Sequence, residues 1–307
     1  MNMKNHSENS NQREINVKEI ISILNTGRSR ILKIVISSSL IALITSLILV
    51  NFYTSETLLY VKNQSKTPNV LSQYAGLASM AGISLPGSGG GDKALEIIEM
   101  IKSRAFLKHL LTFEEILPAL IAAKSYDKST GKINFDRSLY DPIKNNWVDE
   151  EGANKPSYLE AYKKYLEVIL VSHDKLSGFI SIKVEHVSPL FAKEFLELVI
   201  KEANTLMRER DLEQSSMAID YLKTELAKTS YVEIKSSINS LIEAQLETQM
   251  MARLNNDYIL GTIEPPFIPE EKSRPSRALI CILGFVFGIV VSISSLFLEN
   301  YVRSLRD

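Results

Sequence analysis

Two blocks of uninterrupted apolar sequence, one near each end of the chain, constrain its fold more than any other feature. The first is Ile31–Val50, ILKIVISSSLIALITSLILV, whose only charge is Lys33. The second is Ala278–Leu298, ALICILGFVFGIVVSISSLFL, which carries no charge. A helix rises 1.5 Å per residue, so about 20 residues cover the ~30 Å hydrocarbon core of a bilayer. Phe52, Tyr53 and Tyr301 stand where interfacial aromatics are expected. Both blocks are therefore read as transmembrane helices, at 31–51 and 278–298. The first follows 30 residues of mainly polar sequence and has no small-x-small cleavage site, so it is read as a retained anchor.

Basic residues set the expected orientation. Arg13, Lys18, Arg28, Arg30 and Lys33 flank the first span on one side, against Lys62 and Lys66 on the other. That asymmetry places the N-terminus in the cytoplasm. Around the second span, Lys272, Arg274 and Arg277 oppose Arg303 and Arg306 and point the other way. Two spans put both ends on one side, and the first helix usually dominates. The expectation is an inner-membrane protein with cytoplasmic tails at 1–30 and 299–307 and an extracytoplasmic region at 52–277.

Outside the blocks the composition is that of a water-exposed domain. The 35 basic and 36 acidic side chains leave a net charge of −1, which offers nothing to nucleic acid. Cys281, the only cysteine, lies inside the second span, so the region between the spans contains no thiol chemistry.

Local patterns divide that region. Tyr53–Val61 reads as a strand. The small-residue tract at 69–92 reads as a loop with a short helix at 70–81, and Lys93–Leu111 as an amphipathic helix capped by Asp92. Polar loops with short elements are expected over 125–157. A short helix follows at Ser157–Tyr165, then strands at Leu166–Ser172 and Gly178–Val187. Ser188-Pro189 supplies a capping side chain and a proline at the first helical position. From Leu190 to Asp257 there is no proline or glycine. A continuous helix over 190–257 would extend ~100 Å, and Thr229-Ser230-Tyr231 is where it would bend or double back. Pro265, Pro266, Pro269 and Pro275 then make the return at 264–276 an extended link into the second span.

No chemistry-bearing constellation emerges. GSGGGDKA (Gly87–Ala94) fails the phosphate-loop pattern, because Asp92 replaces the glycine before Lys93 and Ala94 replaces the hydroxyl residue. His6, His109, His173 and His186 occur singly, without metal-ligand spacing. The sequence thus predicts no enzyme, no cofactor and no metal.

Several stretches resemble the Wzz family of chain-length determinants, the polysaccharide co-polymerases. They are the first span with YTSETLLYV, the helix ALEIIEMIKSRAFLKHLL, the segment ISIKVEHVSPLFAKEFLELVIKEAN and the junction IEPPFIPEEKSRPSRALI. The junction is similar to the family's P-x-x-P-x-x-x-x-x-P-x-R pattern, carried here by Pro266, Pro269, Pro275 and Arg277. The glycine-rich 69–92 tract looks like an insertion.

The resemblance implies an α+β membrane protein: a periplasmic α/β base, a long projecting helix and two flanking spans. It implies a ring- or bell-shaped homo-oligomer that works with a Wzy-type polymerase on a lipid-linked glycan. The function implied is control of the chain length of O-antigen or a related surface polysaccharide. The chain ends nine residues past the second span, so a member without the tyrosine-kinase domain is expected. Gly284 and Gly288 form a G-x-x-x-G in the second span and are candidates for close helix packing. The competing readings are a capsule or exopolysaccharide export subunit, a periplasmic adaptor and a two-span sensor.

Overall fold

In the computed structural model the described residues are 17–62, 90–148, 155–254 and 257–306. The helix expected at 70–81 lies outside them, as does most of the glycine-rich tract. The chain forms two compact units, Met1–Leu49 with Pro275–Asp307, and Val50–Arg274.

The first unit is a helix pair, α1 (Val17–Ile48) and α8 (Arg277–Arg306). Within it, Gly27–Ile48 and Arg277–Glu299 are long and apolar enough to cross a membrane. Helix α1 begins well before Ile31, at Val17, and carries Gly27 within it. The pair is antiparallel: Gly27 lies against Leu296, Val35 and Ser38 against Gly288, and Ala42 against Gly284. Ser38 Oγ donates to the Gly284 carbonyl at 2.8 Å, and Arg30 pairs with Glu299.

The second unit is built on an antiparallel sheet ordered β6-β7-β1-β8. Its strands are β1 (Tyr53–Val61), β6 (Ile169–His173), β7 (Ile180–His186) and β8 (Leu260–Glu264). Register Tyr53↔His186 to Leu59↔Ile180 puts Tyr53, Ser55, Thr57 and Leu59 on one face with Ile180, Ile182, Val184 and His186. That face is buried in the main core, which includes Ile97, Ile101, Phe195, Leu196, Val199 and Ala203. The opposite face is polar. There Lys183 Nζ meets Glu56 at 2.9 Å, and Ser181 Oγ donates to Glu56 at 3.0 Å. Alternate residues of a strand face opposite ways, so this split follows from the pleat.

Two helices, α2 (Gly90–Lys102) and α3 (Arg104–Leu110), replace the single helix expected over 93–111. Ser103 breaks the run: its backbone is extended, and its hydroxyl caps α3 by accepting from the Phe106 N–H. Helix α4 (Ile116–Ala122) follows, then the hairpins β2 (Ala123–Asp127)–β3 (Lys132–Phe135) and β4 (Tyr140–Asp141)–β5 (Asn146–Trp147). Helix α5 (Tyr158–Val168) starts at a full capping box between Ser157 and Glu160. It runs past Tyr165 and shortens the strand expected at 166–172, because Tyr165 and Val168 turn into the core and the Tyr165 hydroxyl donates to Ile101 O at 2.7 Å.

Residues 190–257 are not one rod. Ser188 caps α6 (Pro189–Lys228), which ends at Thr229 in extended backbone, and α7 (Val232–Leu254) runs back along it. Leu222 packs with Ile238 and Leu241 near the turn, while Ala252 rejoins the main core beside Ala203 and Met207. Helix α6 is ~60 Å long at 1.5 Å per residue, and its N-terminal half covers the sheet. The rest has no sheet beneath it, and doubling back gives its apolar stripe a partner.

The proline-rich return segment as candidate functional site

The second unit closes on the segment that follows α7, and one buried side chain starts it. Asn204, on α6 and 2% exposed, accepts N–H bonds from Ile259 and Leu260, each at 2.9 Å, and donates to Leu260 O at 3.3 Å. Lys62 adds its N–H to Ile259 O at 2.8 Å, and Tyr258 OH donates to Asp211 at 2.8 Å. Strand β8 is thereby seated at the sheet edge beside β1. Gly261 faces Tyr60 in register, and the Tyr60 ring occupies the space a Cβ at Gly261 would need.

Beyond Glu264 the chain meets Pro265 and Pro266, which have no N–H to continue a ladder. Strand β1 supplies side-chain donors instead. Thr57 Oγ1 donates to Glu264 O at 2.6 Å, and Ser55 Oγ donates to Phe267 O at 2.8 Å. Both hydroxyls belong to fully buried residues, where a polar group without a partner would be destabilising. Further on, the Ser273 N–H and hydroxyl both donate to Phe52 O, at 2.8 and 3.0 Å, and the Phe52 N–H donates to Arg274 O at 2.9 Å. The Arg274 guanidinium grips both oxygens of Glu185 on β7, at 2.6 and 2.5 Å. That carboxylate raises the Arg274 pKa, first through the hydrogen bond and then through charge.

The sequence-predicted residues are placed as follows. Pro269 is buried and Pro266 half-buried in the return segment; Pro275 and Arg277, both half-buried, lie at the start of the helix-pair unit. Gly284 and Gly288 face α1 of the same chain. A Cβ at Gly284 would collide with Ala42 Cβ, and one at Gly288 would come within 2.9 Å of Ser38 Cβ. Sequence reasoning missed Ser55, Thr57, Asn204, Glu185 and Arg274 as the set that holds this segment. Only the Ser-x-Thr spacing in β1 carried a signal, since both hydroxyls fall on one face of a strand.

The arrangement is built for positioning. Among the described residues there is no group of three or more His, Cys, Asp or Glu able to hold a metal ion. His109 Nε2 meets buried Glu202 at 2.6 Å. His186 bonds Ala119 O at 2.9 Å through Nε2, while its Nδ1 accepts the Ser188 N–H at 3.1 Å. Burial pushes the His186 pKa down to about 4, so it serves as a neutral bracket between β7, α4 and the start of α6.

These features define a class: an α/β unit with a helical hairpin and a pinned proline-rich return, in a chain with a membrane-length helix near each end. Residues 13–112 match the family described as Wzz, chain length determinant protein, which is the family that the sequence motifs resemble. Among solved structures, one described as a full-length bacterial polysaccharide co-polymerase is 12% identical, over 92% of this chain and 97% of that chain, with a TM-score of 0.41. A fragment of WzzB, the polysaccharide co-polymerase from Salmonella Typhimurium, is 10% identical, over 73% of this chain and 100% of that chain, with a TM-score of 0.22. No curated protein matches the chain.

Proposed function

We propose that this chain regulates the length distribution of a surface polysaccharide, O-antigen or a related glycan, as a co-polymerase alongside a Wzy-type polymerase. The observation that carries the reading is the Wzz match over residues 13–112, which runs through α1, β1, α2 and α3. The chain acts in this reading as a regulator rather than a catalyst. It lies in the inner membrane, both termini in the cytoplasm and residues 52–277 in the periplasm.

A homo-oligomer completes the proposal. Helices α6 and α7 bury their shared seam and leave Met217, Tyr221, Leu246 and Met250 largely exposed along the hairpin. An apolar stripe on a projecting hairpin is the kind of surface that lateral packing between copies would cover. Pro266, Pro269, Pro275 and Arg277 are proposed as functional residues of the proline-rich junction that leads from the return segment into the second span.

Deleting the gene and resolving the surface glycan by gel electrophoresis tests the reading. The modal chain length should change while sugar composition stays constant. An unchanged length distribution would overturn it.

A further inference from the structure

The helix-pair unit carries an open groove of about 1000 Å³ between α1 and α8, lined by Lys33, Ile34, Ile41, Leu283, Phe287 and Val290 among others. Lys33 is the only charged residue in its wall, and among the described residues it makes no ion pair. From the geometry we infer that the groove seats an anionic glycerophospholipid, acyl chain along the apolar walls and headgroup phosphate on Lys33. This rests on the membrane reading above.

Length and charge select that occupant. The α1 wall runs from Lys33 to Ala42, ~15 Å at 1.5 Å per residue, which is half of a ~30 Å bilayer core. The α8 wall, Ile280 to Val290, is about as long, so the groove has the length of one acyl chain. A spanning helix of a partner protein would need a seat about twice as long, and would trap the Lys33 ammonium in apolar surroundings. A polyprenyl chain would likewise overrun it. A phospholipid from the leaflet on the Lys33 side offers chains of the right reach and a phosphate at the right end. An anionic headgroup neutralises Lys33, whereas a zwitterionic one brings its own cation. Depth at the floor comes from Gly284, whose lack of a side chain lets Ala42 approach.

The test uses the full chain in vesicles, with Trp147→Phe removing the only native tryptophan and Leu283→Trp reporting from the groove. Brominated phosphatidylglycerol should quench this tryptophan at several-fold lower mole fraction than brominated phosphatidylcholine. Adding Lys33→Gln should abolish the difference while the far-ultraviolet dichroism stays unchanged. Equal quenching by the two lipids, or a preference that survives Lys33→Gln, overturns the inference. Stronger displacement by polyprenyl phosphate than by unlabelled phosphatidylglycerol overturns it too, in favour of a polyprenyl occupant. Protein that washes off the vesicles at alkaline pH overturns the membrane reading and this inference together; protein that stays but shows no lipid preference overturns this inference alone.

Discussion

Asn204 reads the backbone of Leu260 as a neighbouring strand would, accepting its N–H at 2.9 Å and donating to its carbonyl at 3.3 Å. Through this pair, a residue in the middle of α6 decides where β8 begins, and so where the proline-rich return starts.

Removing that side chain should be costly. Asn204→Ala leaves the N–H groups of Ile259 and Leu260 without their buried acceptor, and orphaned donors cost about 1–3 kcal/mol each. A loss of roughly 2–5 kcal/mol is expected in denaturant unfolding of the full chain in detergent. Asn204→Asp keeps the acceptor but buries a carboxylate with one oxygen against the Leu260 carbonyl, so it should not restore the lost stability. Equal stability of Asn204→Ala and the parent would contradict the role given to this residue.

The second expectation is a dependence on pH. His186 is neutral and 4% exposed, with its pKa lowered to about 4 by burial, against about 6.5 in an unfolded chain. Between those values the unfolded state binds more protons, so stability falls as pH drops from about 6.5 to 4. The loss contributed by this group approaches roughly 3 kcal/mol below pH 4. His186→Gln should lose much of the slope in that window, even if it is less stable at pH 7. An unaltered slope would point to other groups.

Whether residues 190–257 double back can be measured directly. Spin labels at Glu213 and Glu247, both exposed, would lie about 50 Å apart on a continuous helix. On an antiparallel pair with axes 8–10 Å apart, the labels should fall within about 25 Å. Pulsed electron resonance on full-length protein with Cys281→Ser separates the two outcomes.

The two glycines of α8 make the fourth case. Gly284→Leu with Gly288→Leu drives side chains into Ala42 and Ser38 and must push α1 and α8 apart. The modal length of the surface glycan should then shift, with protein levels followed by immunoblot. An unchanged length would remove these glycines from any part in length control.

How much of this was legible in the sequence varied with the kind of signal. Tyr53–Val61 and the Ser188-Pro189 helix start fall where local pattern puts them, because pleat alternation and capping chemistry operate within a few residues. The break between α2 and α3 was missed, although Ser103 is a good capping residue, because the apolar period continues across it. Strand β8 falls almost wholly in the gap between the helix expected to end at 257 and the link expected from 264. Its sequence, LGTIE, becomes a strand through β1 on one side and Asn204 beneath, and neither is a neighbour in sequence.

The sequence by itself determined the two apolar helices, the central strand and the proline-rich return, since length, charge exclusion and missing N–H groups are local properties. The Wzz resemblance was legible for the same reason, in short contiguous motifs. The sequence marked Thr229–Tyr231 as the place to bend, but tertiary structure decided that 190–257 folds back there, because Leu222 packs with Ile238 and Leu241 across the turn. It also decided which face of β1 is buried. Ser55 and Thr57 go inward because proline-flanked carbonyls more than 200 residues away need their hydroxyls, and that demand comes into being only when the two segments meet.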